Sequence, residues 1–420
     1  MLKKIPKLCL APLLLSLVFA CSKEDGLEGE RIPLVREISK LALELPGKKI
    51  KMPPVKIINN WSQFLSGATH KTPNIEMISK SEFESSNIFR VSARGPVFSP
   101  IIISDIMYFL DKEGTVHASN INGSHSWSRK IHGGNPKNYS FPGGLAYNEG
   151  RLFLSSRSGT LAALNASTGE ILWKYSFDQP FRSYPLIYRK NIYVVSGDDL
   201  GVAFSRDGKI LWSISGDIQT TSVSKSASPL ANDGKVFFPF SSGSIHATNF
   251  KDGRNFWTRS FNSASIGGSS SLITDFGGSP VITKRGLLMA SFSGQTLFLD
   301  LNGKILWEIN VGTSVSPLII EDDAFLIEKN GILVRLSLKA GEVIWSRNLN
   351  KKNKIIEYFD PILVNGNIVI TGNNKFITVI SPQDGAIRKV ERLRGIPSSS
   401  PISYKGKVYV PLSNGRVQVF

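Results

Sequence analysis

Several stretches of this 420-residue sequence have residue types and spacing that could do chemistry. Asp198-Asp199 and Glu321-Asp322-Asp323 set carboxylates side by side, as a cation site or an acid–base pair would require. Ser222-Val223-Ser224-Lys225 has the Ser-x-x-Lys spacing that can place a lysine beside a nucleophilic serine, and His117 and His125 bracket one short segment. Each fails on its surroundings. Neither acidic run sits in a calcium-loop pattern, and the Ser-Asp-Asn and Lys-Thr-Gly companions of Ser-x-x-Lys do not occur. The five histidines (70, 117, 125, 132 and 246) include no pair at helical zinc spacing, and the two cysteines are Cys9 and Cys21. Patterns G-x-G-x-x-G, G-x-S-x-G and the P-loop are absent. The acidic runs are therefore expected at hairpin tips. No catalytic residue, metal ligand or cofactor site is predicted.

The elements that would have to position such residues repeat. "GTLAALNASTGEILWKYSF" at 159–177 returns as "GSIHATNFKDGRNFWTRSF" at 243–261 and "GILVRLSLKAGEVIWSRNL" at 331–349. Copies open at Pro100, Pro142, Pro185, Pro229, Pro280, Pro317, Pro361 and Pro401, spaced 42, 43, 44, 51, 37, 44 and 40 residues apart. That period matches one four-stranded propeller blade or one helical repeat. Runs such as "NIYVVSG" (191–197) and "NIVITG" (367–372) are β-branched, short and bounded by turn residues, which selects strands. A glycine followed four residues later by tryptophan marks Trp127, Trp173, Trp212, Trp257, Trp307 and Trp345. Asn or Asp often precedes that glycine, a pair suited to tight hairpins because both hold positive φ. The indole is then expected in an outer strand, filling the wedge between neighbouring blades. At Gly385 the pattern continues with Lys389 in place of Trp, which predicts a weaker contact there.

Eight prolines predict an all-β, eight-bladed β-propeller of four-stranded blades over residues 86–420. The last copy stops at Phe420 before its fourth strand, leaving an unpaired edge. The ring is therefore expected to close by pairing an N-terminal strand with the C-terminal blade. Phe89 lies 38 residues before Trp127, close to the repeat spacing, whereas Trp61 lies 66 before it, so 86–93 is the expected closing strand. Residues 21–85 read as a tether and N-terminal extension, with a short helix at 33–45 and "NNWSQFLSGATHKTPN" (59–74) as a loop packed on the ring.

Residues 1–20 have the form of a lipoprotein signal peptide. Lys3, Lys4 and Lys7 precede an apolar run at 8–19 too short to span a bilayer, ending Val18-Phe19-Ala20-Cys21. Cleavage would leave Cys21 as the first residue, the position of lipidation, and no disulfide could form. Lys plus Arg exceed Asp plus Glu by 17, about 14 without the leader lysines. The basic clusters are short and lack interleaved aromatics, which argues against nucleic acid.

The Gly-turn-Trp repeat behind such a leader resembles the BamB family of outer-membrane assembly lipoproteins over residues 86–420. The resemblance implies a non-enzymatic scaffold of the β-barrel assembly machinery, lipid-anchored on the periplasmic face of the outer membrane. Ser22 after Cys21 is similar to the outer-membrane address. The implied partners are the POTRA region of BamA, other subunits of the machinery and unfolded outer membrane proteins. Two inter-blade loops, 220–229 and 269–280, would carry the docking residues: Val223, Ser224 and Lys225 on one, Asp275 and Gly277 on the other. The repeat is shared with dehydrogenases that hold pyrroloquinoline quinone over the channel with calcium and neighbouring cysteines. This chain lacks such a cysteine pair and their extra length. A ring that binds another envelope complex or a glycan is the remaining alternative.

Overall fold

In every repeat the apolar runs pair as antiparallel strands, stepping outwards from a common axis. The structure, a computed structural model, describes residues 49–78, 83–91, 95–131, 143–217, 227–261, 275–350 and 355–420. Blade 1 shows the rule: Phe98–Ile103, Ile106–Leu110, Thr115–Asn120 and His125–Lys130 pair in chain order. Six further sheets repeat it within 143–176, 186–215, 230–260, 281–309, 318–348 and 362–392. The eighth takes three strands from 402–419 and its fourth from Asn87–Arg90. There Phe89 lies opposite Val417 and Asn87 opposite Val419, so the ring closes as the truncated last repeat requires. The largest apolar cluster spans this closure, joining Phe89, Val417 and Phe420 to residues of blades 7, 1 and 2.

The first three strands of each blade are mostly buried, and the fourth is mostly exposed. A register shift recurs in the fourth strand, one residue before the tryptophan. Trp173 pairs with Ala163, yet Leu164 pairs with Ile171, and the same bulge occurs at Trp127, Trp212, Trp257, Trp307 and Trp345. A bulge bends an edge strand and re-aims its side chains. Here it turns each indole toward the next blade.

Each indole then lies on the next blade's hairpin glycine. A Cβ on Gly303 would stand 2.6 Å from Trp257 Cδ2, and Gly169, Gly208, Gly253, Gly341 and Gly385 meet Trp127, Trp173, Trp212, Trp307 and Trp345 in the same way. These glycines need positive φ for the turn as well, +85° at Gly303, so the position combines two demands that glycine alone meets without strain. The indole N–H donates to a carbonyl in the same turn: Ala166, Arg206, Leu301, Leu338 and Pro382 accept from Trp127, Trp173, Trp257, Trp307 and Trp345 at 2.9–3.1 Å. Trp212 departs from this. The matching acceptor, the Phe250 carbonyl, is held by Tyr193 Oη at 3.0 Å, and the buried Trp212 nitrogen has no partner.

Closure explains Lys389. In blade 8 the third strand ends at Val419 and the fourth begins at Asn87, so no hairpin glycine joins them. An indole on blade 7 would have no glycine to cover, and Lys389 stands there, opposite Val379 behind the same bulge. One seam further on, Phe89 takes the tryptophan's place and packs on Gly123 of blade 1.

The stretch expected as a surface loop forms more than a loop. Residues 58–78 wind around the axis at the far ends of the innermost strands. Ile58 O accepts from Lys405 N, Asn60–Trp61 adds a strand to blade 1, and Ser62 O accepts from Tyr147 N. Gln63 Oε1 then accepts from Ile187 N, Ala68 O from Ala231 N, and Thr69 O from Ile282 N. Asn74–Ile75 adds a parallel strand to blade 7, and Ile78 N donates to Gly406 O. Blades 8, 1, 2, 3, 4, 5, 7 and 8 are met in that order.

Candidate functional site

The lacing segment gives the central channel two different ends. At one, the short 3-10 helix Phe64–Ser66 fills the floor: Phe64 stacks on Tyr184 at 4.3 Å, and His70 Nδ1 lies 3.0 Å from the Pro280 carbonyl. At the other, the innermost strands begin around a mouth of about 340 Å³. Its wall includes Phe292, Lys329, Tyr358, Asp360 and a set of serines.

Those serines belong to a larger ring of serines that sequence reasoning missed. Each stands directly before, or near, a repeat proline, and together they stitch neighbouring blades. Tyr184 N–H donates to Ser228 Oγ, Ser228 N–H to Ser279 Oγ, and Ser279 N–H to Ser316 Oγ, at 2.9–3.1 Å. Ser316 N–H donates to Asp360 Oδ1 at 2.8 Å, and Asp360 N–H to Ser400 Oγ at 3.1 Å. Ser398 Oγ to Val97 O, Ser99 Oγ to Gly143 O and Ser155 Oγ to Ser183 O complete the remaining seams. Proline cannot donate, so the residue before it carries the hydrogen bond. The signal was visible as Ser-Pro at 99, 228, 279, 316 and 400.

The acidic runs turn out to be latches as well as tips. Asp199 sits in a turn at φ +57° but is buried, accepting from Ser241 N–H at 2.9 Å across the seam to blade 4; burial pushes its carboxyl above the usual range. Asp322 pairs with Arg285 of blade 5 at 2.7 Å, and Asp323 with the fully buried Arg335 at 3.0 Å. Arg335 also donates to the Gln383 carbonyl of blade 7. His117 and His125 do not converge on a metal. Asp111 Oδ2 and Ser128 Oγ occupy both nitrogens of His117, at 2.9 and 2.8 Å. The order acid–imidazole–hydroxyl is that of a hydrolytic relay, but Ser128 stands mid-strand on the outer sheet face, where it braces blade 1. Burial pushes the Asp111 carboxyl up, but the His117 bond and the backbone amides of Thr115 and Glu113 together outweigh it and hold it below its usual range. His132 lies outside the described residues.

Among the described residues no group of three or more His, Cys, Asp and Glu side chains could hold a metal. The mouth does not suit a quinone cofactor either. Its serines and Asp360 are committed to neighbouring blades, and the floor below is filled by Phe64 and Leu65.

Of the residues expected to bind partners, Val223, Ser224 and Lys225 lie outside the described residues, as does Cys21. Asp275 is 1% exposed, and its Oδ1 accepts from Phe276 N–H at 2.7 Å. Gly277 is wedged against blade 6, where a Cβ would fall on the Thr313 carbonyl oxygen. Both residues thus anchor the end of their connection to the ring. The described ends of the two loops, 227–229 and 275–280, include Ser228 and Ser279, which are bonded to each other.

Comparison with known proteins gives a consistent result. The family model described as outer membrane protein assembly factor BamB matches residues 112–347. Outer membrane protein assembly factor BamB of Escherichia coli K12 is 22% identical over 327 residues, covering 76% of this chain and 82% of that protein. The crystal structure of BamB from Moraxella catarrhalis superposes with a TM-score of 0.69 at 20% identity, over 80% of this chain and 98% of that one. A europium-containing methanol dehydrogenase also shares the fold, with a TM-score of 0.66 at 12% identity over 84% of this chain and 89% of that chain.

Proposed function

This chain belongs to the BamB family of outer membrane protein assembly factors, and on that premise we propose that it is a non-catalytic scaffold of the β-barrel assembly machinery. In this reading residues 1–20 are a cleaved lipoprotein signal peptide and Cys21 carries the lipid anchor. Residues 21–85 form the tether and extension, and 86–420 the ring, held at the periplasmic face of the outer membrane. The docking partner is the POTRA region of BamA, with other subunits of the machinery and unfolded outer membrane proteins as further partners. Tethering the ring beside BamA raises the local concentration of whatever it holds.

One observation carries the docking reading: the Ser228–Ser279 bond brings the returns of both connections together on the rim of blade 4. Val223, Ser224 and Lys225 would supply an apolar and basic contact from one connection. Asp275 and Gly277 would act by fixing the base of the other. Loops held on a rigid sheet are the usual place for binding residues. A client role for the exposed fourth strands is also part of the proposal, because extended segments can add to an open edge.

Co-purification from detergent-solubilised membranes tests this. BamA is expected with the wild-type chain, and at least about tenfold less with Val223→Glu combined with Lys225→Glu, at unchanged thermal stability. Undiminished recovery of BamA with that variant would refute the docking site. Absence of BamA from the wild-type preparation would refute the scaffold reading.

A further inference from the structure

The floor end of the channel carries an exposed surface opposite the mouth, where Ser228 and Ser279 meet. The described chain starts at Lys49 over blade 7, where Ile50 N donates to Gln383 Oε1, and runs inwards to blade 8. Along this path Met52, Val55 and Ile57 are 37%, 45% and 42% exposed, and Ile78 beside them is 63% exposed. Met52 packs beside Gly366 and Ile78 beside Gly406, which places both over the turns of blades 7 and 8. Lys49, Lys51 and Lys56 alternate with the apolar side chains and are exposed, as are Lys405 and Lys407 in the adjoining turn. Three acids lie nearby: Asp105 holds Lys405 at 2.9 Å, Asp384 faces Arg388 at 3.7 Å, and half-buried Glu76 sits beside Lys56, its N–H donating to the Lys56 carbonyl.

We infer that this strip of exposed aliphatic side chains and lysines, 49–57 with Ile78 and Lys407, lies against an anionic phospholipid surface. Exposed aliphatic residues interleaved with lysines along one segment suit the boundary between headgroups and acyl chains, where apolar area and charge attraction add. The four side chains are exposed and line neither the channel mouth nor the groove between blades 1 and 2. The choice of lipid over an acidic protein rests on the anchored reading above, since the chain leading to Cys21 joins the ring within this strip. The ring would then lie with its floor toward the membrane, and the mouth end, where Ser228 and Ser279 meet, would face away, toward the periplasm.

The test uses the chain from residue 21 with Cys21→Ser, so that no acyl group contributes. It should float with vesicles of phosphatidylethanolamine and phosphatidylglycerol, and far less with phosphatidylcholine vesicles. Lys51→Glu with Lys56→Glu should weaken that binding at least about tenfold, since each lysine near an anionic surface contributes about that order. Lys112→Glu with Lys375→Glu, exposed turns at the opposite end, should leave it unchanged. In the Cys21→Ser background Val55→Cys is the sole cysteine, and an environment-sensitive fluorophore there should shift to the blue on anionic vesicles. The same label at Lys375→Cys should stay silent. Equal binding to both vesicle types, equal loss from both charge reversals, a response at position 375, or binding to polyglutamate without binding to vesicles would each overturn the inference. Palmitate labelling of Cys21 in cells tests the anchored reading separately. Vesicle binding without labelling would keep the surface and remove the anchor.

Discussion

The seam between blades 4 and 5 and the seam between blades 7 and 8 hold neighbouring sheets by different means. At the first, Trp257 covers Gly303 and donates to the Leu301 carbonyl, one bulged strand gripping one hairpin. At the second there is no hairpin to grip, Lys389 stands where an indole would, and the blades meet through Asp360, Ser400 and the lacing residues 74–78. The comparison teaches that the tryptophan belongs to an inter-blade pair. Where the chain break removes the glycine, the indole has nothing to pack against.

The largest effect should come from breaking the intact pair. Trp257→Ala is expected to cost about 3 kcal/mol in urea unfolding, at the low end for such truncations because the ring is partly exposed. Gly303→Ala should cost about 2 kcal/mol through clash and positive φ. The double variant should cost clearly less than the two together, since removing the indole removes the clash. Strict additivity would mean that the two residues do not act as a pair.

Next comes the closing strand. Phe89→Ala should cost about 2–4 kcal/mol. Because this blade is joined without a covalent turn, the loss should appear in hydrogen exchange as faster opening of 87–90 and 416–419 ahead of the other blades. Uniform acceleration around the ring would show that closure is no weaker than the rest.

A finer distinction separates two tryptophans that look identical in sequence. Trp257→Phe loses a hydrogen bond and should cost about 1 kcal/mol beyond the change in packing. Trp212→Phe removes a buried donor that has no acceptor, and should cost less than Trp257→Phe or even stabilise, by chemical denaturation at matched conditions. Lys389→Trp should change stability by no more than about 0.5 kcal/mol. A gain of the size lost in Trp257→Ala would undo the paired account of the seams.

The smallest effect concerns pH. Asp111 has a lowered carboxyl pKa in the folded chain, so its contribution is present above the unfolded value and is lost as pH falls through the folded one. The stability gap between the wild type and Asp111→Asn should therefore be widest near neutrality and narrow as pH drops below about 4. A gap that widens in acid would contradict the brace around His117.

Much of this was legible in the residues. The period from Pro100 to Pro401, the Gly-turn-Trp spacing and the missing fourth strand after Phe420 are local or counting signals, and they led to eight blades and to Phe89 as the closing residue. The serine ring was legible too, as the residue before five of the eight repeat prolines, yet it had no visible meaning until the ring brought positions about one repeat apart into contact. Asp199 and Asp323 were readable as turn residues, but their buried latching to Ser241 and Arg335 was not.

By itself the sequence determined the repeating unit and its number, because strand length, turn chemistry and aromatic spacing act within a few residues of one another. Only the tertiary structure decided which repeats bond across each seam, why Trp212 lacks an acceptor, why Lys389 is tolerated and how residues 58–78 lace the floor of the channel. Those outcomes depend on contacts between residues tens to hundreds of positions apart, set by the curvature of a closed ring, and no local pattern encodes them.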